Sequence, residues 1–197
     1  SNNPSALRAT GENFTVKNSV FFNNESDFGT ISASVNRFYF INNTVVNNTY
    51  YTQFNGGASE SGLWVSQYSE QVFIANNLLW ENYGDDIIAG TTGTNNPGYY
   101  LYHNDFQSKS GTFDFESDNI SEDPQLGFLN FTPAHSSPLV DSGHHNPPLI
   151  PFPPPFQLNW SFGTSDFLSA SRVVNNRVDI GAVEAPEEVP IFVNGFE

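Results

Sequence analysis

The chain of 197 residues contains no cysteine and no methionine, and only 6 of its residues are lysine or arginine. The absence of cysteine excludes a disulfide scaffold and thiolate metal sites. With 21 aspartates and glutamates the formal net charge is −15. A surface this negative repels nucleic acid, anionic lipid and acidic sugars unless a cation intervenes. We therefore expect no nucleic-acid partner.

Long apolar runs are also missing. No run approaches the roughly 18 residues that a membrane-spanning helix needs, so no transmembrane segment is predicted. A starting methionine is absent, which indicates a processed N-terminus or a piece of a longer protein. Asparagine, serine and threonine are abundant and lysine is scarce, a composition typical of an exported surface.

The chain nevertheless has enough apolar residues for a core. Hydrophobic residues make up 38% of it, with 19 phenylalanines and 8 tyrosines, which is unlike the composition of an acidic disordered tail. At this length we expect one domain, or one domain with a small appendage.

A phrase that ends in asparagine recurs along the first half of the chain. It reads FTVKNSVFFNN (14–24), FYFINNTVVNN (38–48), VFIANNLLWEN (72–82) and, more loosely, YYLYHNDFQSK (99–109). The first and third positions are apolar, which is the alternation of a β-strand with one buried face. The intervals of 24, 34 and 27 residues suit one turn of a solenoid with inserted loops.

Asparagine at fixed places in the phrase predicts sharp corners between short strands. Asn18, Asn42 and Asn76 share one place, which His103 occupies in the last copy. Asparagine tolerates left-handed backbone angles. If repeats stack about 4.8 Å apart, equivalent asparagines can also hydrogen-bond along the stack. The spacing of three and four residues that a helical solenoid needs is absent.

The phrase V-x-N-x-x-F-x-x-N resembles the repeats of right-handed parallel β-helix proteins of the pectin-lyase-like superfamily, over about residues 14–109. The resemblance implies an all-β chain: a right-handed parallel β-helix solenoid with a C-terminal cap. Its coils would occupy residues 1–122 and would be truncated at their N-terminal side. An open end of such a solenoid exposes unpaired strand edges, which predicts self-association.

The C-terminal part has a different pattern. The pieces DP (123–124), SP-x-x-D-x-G (137–143) and DIGA-x-E (179–184) resemble the choice-of-anchor region of bacterial surface β-helix proteins. We predict that residues 123–186 form a lid over an open solenoid end, with Asp141 and Asp179 as turn-forming or backbone-capping carboxylates. The tail 187–197 resembles short terminal peptides of exported proteins of Gram-negative bacteria. Together these resemblances imply secretion or the outer cell surface.

The strongest catalytic hint is NYGDDIIAG (82–90). Asp85 and Asp86 resemble the paired aspartates of polygalacturonase-type glycoside hydrolases, in which two carboxylates act as acid and base. The other motifs of that family have no clear match, and the alternative is a turn ahead of an apolar strand. His103 is a candidate general base, or it simply ends the asparagine ladder.

Two further sets of residues suggest ligands. Alternation places Asp114, Glu116 and Asp118 on one strand face, a candidate calcium surface or a solvated face. The sequence suggests no cofactor other than calcium. The aromatic residues Tyr50, Tyr51, Phe54 and Trp64 lie in the longest insertion between repeats, where binding surfaces often form, and are candidate carbohydrate contacts.

The fold is shared by lyases, hydrolases, epimerases, adhesins and inert scaffolds, so it does not fix the activity. We expect a non-catalytic module that is secreted or surface-associated, with carbohydrate as the candidate ligand. The alternative is a polysaccharide-degrading hydrolase or lyase with Asp85 and Asp86 as acid and base. Lyase action on acidic sugars is disfavoured because basic residues are few.

Overall fold

The computed structural model describes residues 5–27, 29–50, 60–66, 68–89, 98–127, 130–144 and 163–187. These residues form strands, isolated bridges and turns, and none of them is helical. The protein is therefore all-β over the described part, as predicted.

The described residues form 14 strands that end at Ser117. They are β1 (Leu7–Lys17), β2 (Val20–Phe22), β3 (Glu25–Ser26), β4 (Ile31–Ile41), β5 (Thr44–Val46), β6 (Thr49–Tyr50), β7 (Glu60–Val65), β8 (Gln71–Ala75), β9 (Leu78–Trp80), β10 (Asp85–Ala89), β11 (Tyr99–Tyr102), β12 (Asp105–Phe106), β13 (Lys109–Gly111) and β14 (Phe115–Ser117).

The strands form three parallel sheets, of which the largest is curled. The largest sheet has the order β13-β10-β7-β4-β8-β11-β14, with β1 paired to β4. The long strand β4 joins its two halves, because its first residues pair with β7 and its last with β8. The second sheet has the order β12-β9-β5-β2, and β3 pairs with β6.

Strand pairing matches the columns of the sequence phrase. The first column pairs Phe14 with Phe38, Phe38 with Val72 and Val72 with Tyr99; the third pairs Val16, Phe40, Ile74 and Leu101 in the same order. In the second sheet Phe21, Val45, Leu79 and Phe106 are likewise in register. The predicted alignment of the repeats is confirmed at these positions.

Side chains from both larger sheets enclose one core. Phe38, Phe40 and Ile74 of the large sheet and Val45 and Leu79 of the second sheet are fully buried in one cluster. Burial of an apolar side chain of this size contributes about 1.5–3 kcal/mol. The repeated apolar columns are therefore the main source of stability for the stacked strands.

The second sheet is also covered on its outer face, by the C-terminal segment (residues 123–187). Val46 and Leu78 pack in a separate cluster with Leu139 and Ile180 of that segment. A sheet covered on both faces favours continuous apolar strands. This explains the consecutive apolar residues VV (45–46) in β5 and LLW in β9.

Corners between strands have left-handed backbone, as predicted from asparagine. The first corner uses Asn18, Asn42, Asn76 and His103, with φ of 47°, 54°, 55° and 50°, and the second uses Asn23, Asn47 and Glu81, with φ of 53°, 55° and 53°. Asparagine tolerates this conformation better than most residues, because its short polar side chain can hydrogen-bond locally.

The asparagine ladder lies one residue after the first corner. Asn43 Nδ2 donates to Asn77 Oδ1 at 3.0 Å, Asn77 Nδ2 to Asn104 Oδ1 at 2.9 Å, and Asn104 Nδ2 to Asn119 Oδ1 at 3.0 Å. The corner residue and the ladder residue are thus adjacent in the chain. The sequence alignment had predicted that the same asparagine forms both the corner and the ladder. His103 does not end the ladder, because Asn104 continues it.

A second ladder follows the second corner. The Nδ2 atoms of Asn24, Asn48 and Asn82 donate in turn to Asn48 Oδ1, Asn82 Oδ1 and Asp86 Oδ1, at 2.9, 2.8 and 2.7 Å. Asp86 therefore accepts the last hydrogen bond of this ladder. The sequence alignment had placed Lys109 at the corresponding position of the fourth copy. The Lys109 Nζ atom instead lies 2.9 Å from Glu116 Oε1.

The C-terminal segment runs along the side of the stacked repeats. Ser165 O accepts a hydrogen bond from Asn18 Nδ2 at 3.1 Å, Ala182 N donates to Thr44 Oγ1 at 2.9 Å, and Gly181 N donates to Asn76 O at 2.9 Å. These partners belong to three successive repeats. The observed contacts therefore lie on the flank of the stack, whereas the sequence predicted a lid over its open end.

Candidate functional site

The two candidate catalytic aspartates have different partners. Asp86 is 1% exposed and its carboxylate accepts hydrogen bonds from Asn82 Nδ2, Gln107 N and Ser108 N at 2.7, 2.8 and 3.3 Å. Burial raises the pKa of the Asp86 carboxyl, and these hydrogen bonds oppose the rise. Asp85 accepts a hydrogen bond from Ser110 Oγ. Asp86 is thus engaged in the second ladder and is buried, whereas its neighbour Asp85 on β10 is partly exposed.

His103 contacts the C-terminal segment. Its Nδ1 atom lies 3.0 Å from Ser142 O, and its Nε2 atom lies 3.5 Å from Asp118 Oδ2. Its ring centroid is 5.1 Å from that of His144. Both ring nitrogens therefore face groups of the protein itself, an arrangement that holds the segment against the corner.

The candidate calcium ligands are also held by separate partners. Asp114 Oδ2 accepts the main-chain N–H groups of Gly98 and Tyr99, both at 2.9 Å. Glu116 pairs with Lys109, and Asp118 accepts a hydrogen bond from Ser117 Oγ. Over the described ranges, no group of three or more His, Asp or Glu side chains is arranged to hold a metal ion. The three carboxylates do not converge on one cation.

The predicted carbohydrate contacts are only partly described. Tyr51 and Phe54 lie outside the described residues. The Tyr50 ring stacks on Tyr83, with centroids 6.1 Å apart and an interplanar angle of 15°. Trp64 lies on β7, which belongs to the large sheet, whereas Tyr50 belongs to β6 in the two-stranded sheet. The two described residues therefore lie on different sheets.

A buried ion cluster organises the DIGA-x-E piece. Arg172 is fully buried; its Nε atom lies 3.1 Å from Glu184 Oε1, and its Nη2 atom donates to Asp179 O at 3.0 Å and to Gly181 O at 2.6 Å. Burial raises the pKa of Glu184, and the Arg172 guanidinium opposes that rise. Arg172 lies outside the three pieces of the sequence pattern, so the pattern did not single it out.

Asp179 and Asp141 have the structural roles that the sequence predicted. The Asp179 carboxylate accepts the main-chain N–H groups of Asp141 and Ala185 at 2.7 and 2.6 Å. Asp141 itself has a left-handed φ of 57°, and its Oδ2 atom lies 3.4 Å from Arg177 Nη1. The prediction of backbone-capping and turn-forming carboxylates is confirmed.

An aromatic cleft opens between the second sheet and the start of the C-terminal segment. Its volume is about 560 Å³, and its main apolar walls are Phe22, Val46, Trp80 and Phe131. The rings of Phe22 and Phe131 meet edge to face, with centroids 5.1 Å apart. We call this feature the aromatic cleft.

The polar rim of the aromatic cleft is acidic. Asn47, Glu81 and Asp123 line it and are exposed. Neither lysine nor arginine is among the described residues that line it. The negative potential of the rim, added to the net charge of −15, disfavours anionic ligands here.

Sequence reasoning missed the aromatic cleft, although one signal was present. Phe22, Val46 and Trp80 are in register in successive strands of the second sheet. In the sequence each of them directly follows a core residue, so alternation places it on the outer face. An outer column that is apolar in successive repeats indicates a covering segment or a ligand.

The chain matches no protein-family model, no curated protein sequence and no solved structure. In the part of the chain that the structure describes, there is no helix of sufficient length and apolarity to cross a bilayer. Chemically, the aromatic cleft combines ring surfaces with amide and carboxylate groups. Apolar walls with a few polar groups at the rim are typical of small-ligand sites.

Proposed function

We propose that this chain is a non-catalytic, right-handed parallel β-helix module that binds carbohydrate in the aromatic cleft. The register of successive repeats and the two asparagine ladders support the solenoid reading. In this proposal the module is of the pectin-lyase-like kind, and the C-terminal segment is a region of the choice-of-anchor type.

The aromatic cleft is the observation that carries the binding proposal. It presents Phe22, which is 49% exposed, beside Trp80 and Phe131. Solvent-exposed aromatic surface costs free energy unless a ligand or a partner covers it. Its volume of about 560 Å³ lies within the usual range for small-molecule sites. A site of this size accommodates a few sugar units.

The hydrogen bonding of Asp86 supports a non-catalytic role. A general acid or base must reach the substrate, whereas the Asp86 carboxylate is buried and accepts three hydrogen bonds from the fold.

Polysaccharide hydrolysis is the second candidate function. It is favoured by the raised pKa of Asp86, a property of general acids.

Location at the cell surface or outside the cell is part of the same proposal. It is supported by the resemblance of residues 123–184 and of the tail to exported bacterial proteins, and by the scarcity of lysine. Detection of the protein in the secreted or outer-membrane fraction of its source bacterium would support this location. Exclusive recovery from the cytoplasm would contradict it.

Calorimetric titration with neutral, amino and acidic hexasaccharides tests the binding proposal. We expect binding of at least one hexasaccharide, and about a tenfold loss of affinity in Trp80→Ala, the effect of losing one aromatic contact. Tyr68→Ala, at an exposed aromatic residue outside the cleft, is the matched control and should bind as the parent does. Absence of binding to every hexasaccharide, or equal binding by Trp80→Ala, contradicts the proposal.

Reducing-end release from the same sugars tests the second candidate. We expect no release. Release that is abolished by both Asp85→Asn and Asp86→Asn would establish a hydrolase and overturn the non-catalytic proposal.

A further inference from the structure

We propose that the ligand of the aromatic cleft is an amino sugar chain with free ammonium groups, which pair with Glu81 and Asp123. This inference rests on the proposed function, because it names the ligand class of the same site. It follows from the charge of the rim, the position of its two carboxylates and the nature of the walls.

The two carboxylates come from different parts of the fold. Glu81 occupies the second corner of the third repeat, where its main-chain N–H donates to Gln107 Oε1 at 2.9 Å. Asp123 begins the C-terminal segment, and its Oδ1 atom accepts a hydrogen bond from Gln125 N at 2.9 Å. Backbone hydrogen bonds thus hold both residues at the cleft.

The walls favour a cation as well as a sugar ring. Trp80 is half-buried beside Glu81, with part of its indole facing the cleft. Aromatic faces attract ammonium groups through the ring quadrupole, and tryptophan does so most strongly. A hexosamine chain presents apolar ring faces to the aromatics and ammonium groups to the carboxylates. The same cleft therefore satisfies both parts of such a ligand.

Other sugar classes match the cleft less well. Uronic acids carry carboxylates, which the acidic rim and the net charge of −15 repel. Neutral sugars can pack on the rings and donate hydroxyl hydrogen bonds to Glu81 and Asp123, but they carry no positive charge to form an ion pair with these carboxylates. Charge complementarity therefore selects the amino sugar.

Three hexasaccharides with the same β-1,4 backbone test the inference. They carry a hydroxyl, an acetamido group or a free amine at carbon 2, and calorimetry compares them at about pH 5.5, well below the ordinary pKa of an amine. We expect the glucosamine hexamer to bind about tenfold tighter than the glucose hexamer. Each of Glu81→Gln and Asp123→Asn should weaken amine binding about two- to fivefold, the size of one exposed ion pair.

Controls separate this inference from the proposed function. Glu70→Gln, an exposed carboxylate outside the cleft, should leave all three affinities unchanged. Three results would overturn the amino sugar inference and leave the binding proposal standing. They are equal binding of the glucose and glucosamine hexamers, tightest binding of the acetamido hexamer, and binding of the glucosamine hexamer that neither cleft substitution changes. If none of the three sugars, nor any acidic one, binds, the proposed function itself fails.

Discussion

Asn77 Nδ2 and Asn77 N both donate to Asn104 Oδ1, at 2.9 and 3.0 Å. The same oxygen thus satisfies a side-chain and a main-chain donor of the previous repeat. Asn77 Nδ2 also donates to Phe40 O at 2.8 Å. Each ladder asparagine with its hydrogen-bond partners, which we call a rung, therefore connects three successive repeats. Because the rung is fully buried, every one of these groups would be costly if left unpaired.

Removal of one rung should strongly destabilise the protein. In Asn77→Ala the main-chain N–H and the Nδ2 atom of Asn43 lose the acceptor Asn77 Oδ1, and Asn104 Oδ1 and Phe40 O each lose one donor. Each buried group left unpaired costs about 1–3 kcal/mol. We therefore expect a loss of at least about 3 kcal/mol in the free energy of unfolding, measured by urea denaturation. Asn13→Ala, at an exposed position of β1, is the control. A similar small change for both variants would contradict the structural role of the ladder.

Removal of the buried guanidinium of Arg172 should lower the free energy of unfolding more than removal of the exposed guanidinium of Arg177. Arg172→Met leaves Glu184 without its partner inside the C-terminal segment, and loss of one member of a buried pair costs about 3–5 kcal/mol. Arg177→Met breaks the pair with Asp141. The side chain of Arg177 is 62% exposed and that of Asp141 is 47% exposed, so the loss of this pair should cost about 1 kcal/mol or less. Chemical denaturation compares the two. Equal costs would show that burial of Arg172 contributes little.

Stability should fall as the pH rises because of Asp105. Burial raises the pKa of this carboxyl to about 7 in the folded protein, with Glu122, Asp86 and Asp123 as neighbouring negative charges, whereas the unfolded value is about 3.9. Between these values the folded state binds more protons than the unfolded state, so the free energy of unfolding decreases from about pH 4 to pH 7.

Asp105→Asn isolates this effect. The variant keeps an acceptor for Glu122 N, which lies 3.2 Å from Asp105 Oδ1, and it cannot ionise. We expect it to be more stable than the parent at about pH 8, by up to roughly 4 kcal/mol, with little difference at about pH 4. Urea denaturation at both values measures the difference, with Glu70→Gln as the exposed control. A difference that does not depend on pH would contradict the assignment.

Gly181 should not tolerate a side chain. Its φ is +108°, and an added Cβ would lie 3.0 Å from Thr44 Oγ1, the acceptor for Ala182 N. Gly181→Ala should therefore weaken packing of the C-terminal segment against the repeats, at a cost of about 2 kcal/mol or more. Gly163 has a similar φ of +96° but open space around it. Gly163→Ala thus controls for backbone strain, and a lower melting temperature specific to Gly181→Ala is expected.

Strands and their register were predictable from the sequence because both depend on a local pattern that repeats. The alternation in FYFI and VFIA places Phe38 and Val72 on the same face, and their equal distance from the following asparagines aligns the strands. Left-handed corners were predictable at Asn42 and Asn76 for the same reason, since a residue's own backbone preference acts locally.

Which asparagine forms the ladder was decided by the tertiary structure. The pairs Asn42-Asn43 and Asn76-Asn77 are identical in the sequence. In the structure the left-handed backbone marks the first residue of each pair, and the side-chain hydrogen bonds along the ladder mark the second. The second residue of each pair points into the stack and meets its equivalent in the next repeat. That contact depends on the pairing of strands from separate repeats, which a single repeat does not contain.

The sequence by itself determined an all-β chain of aligned parallel strands with asparagine corners, because alternation and turn preference act within a few residues. Packing between distant segments decided the rest. Trp80 and Phe131 form one cleft because the C-terminal segment returns to the second sheet. Arg172 is buried among Glu184, Asp179 and Gly181 of its own segment. Such contacts gain their energy from burial and pairing across the fold, and these exist only once the chain has folded.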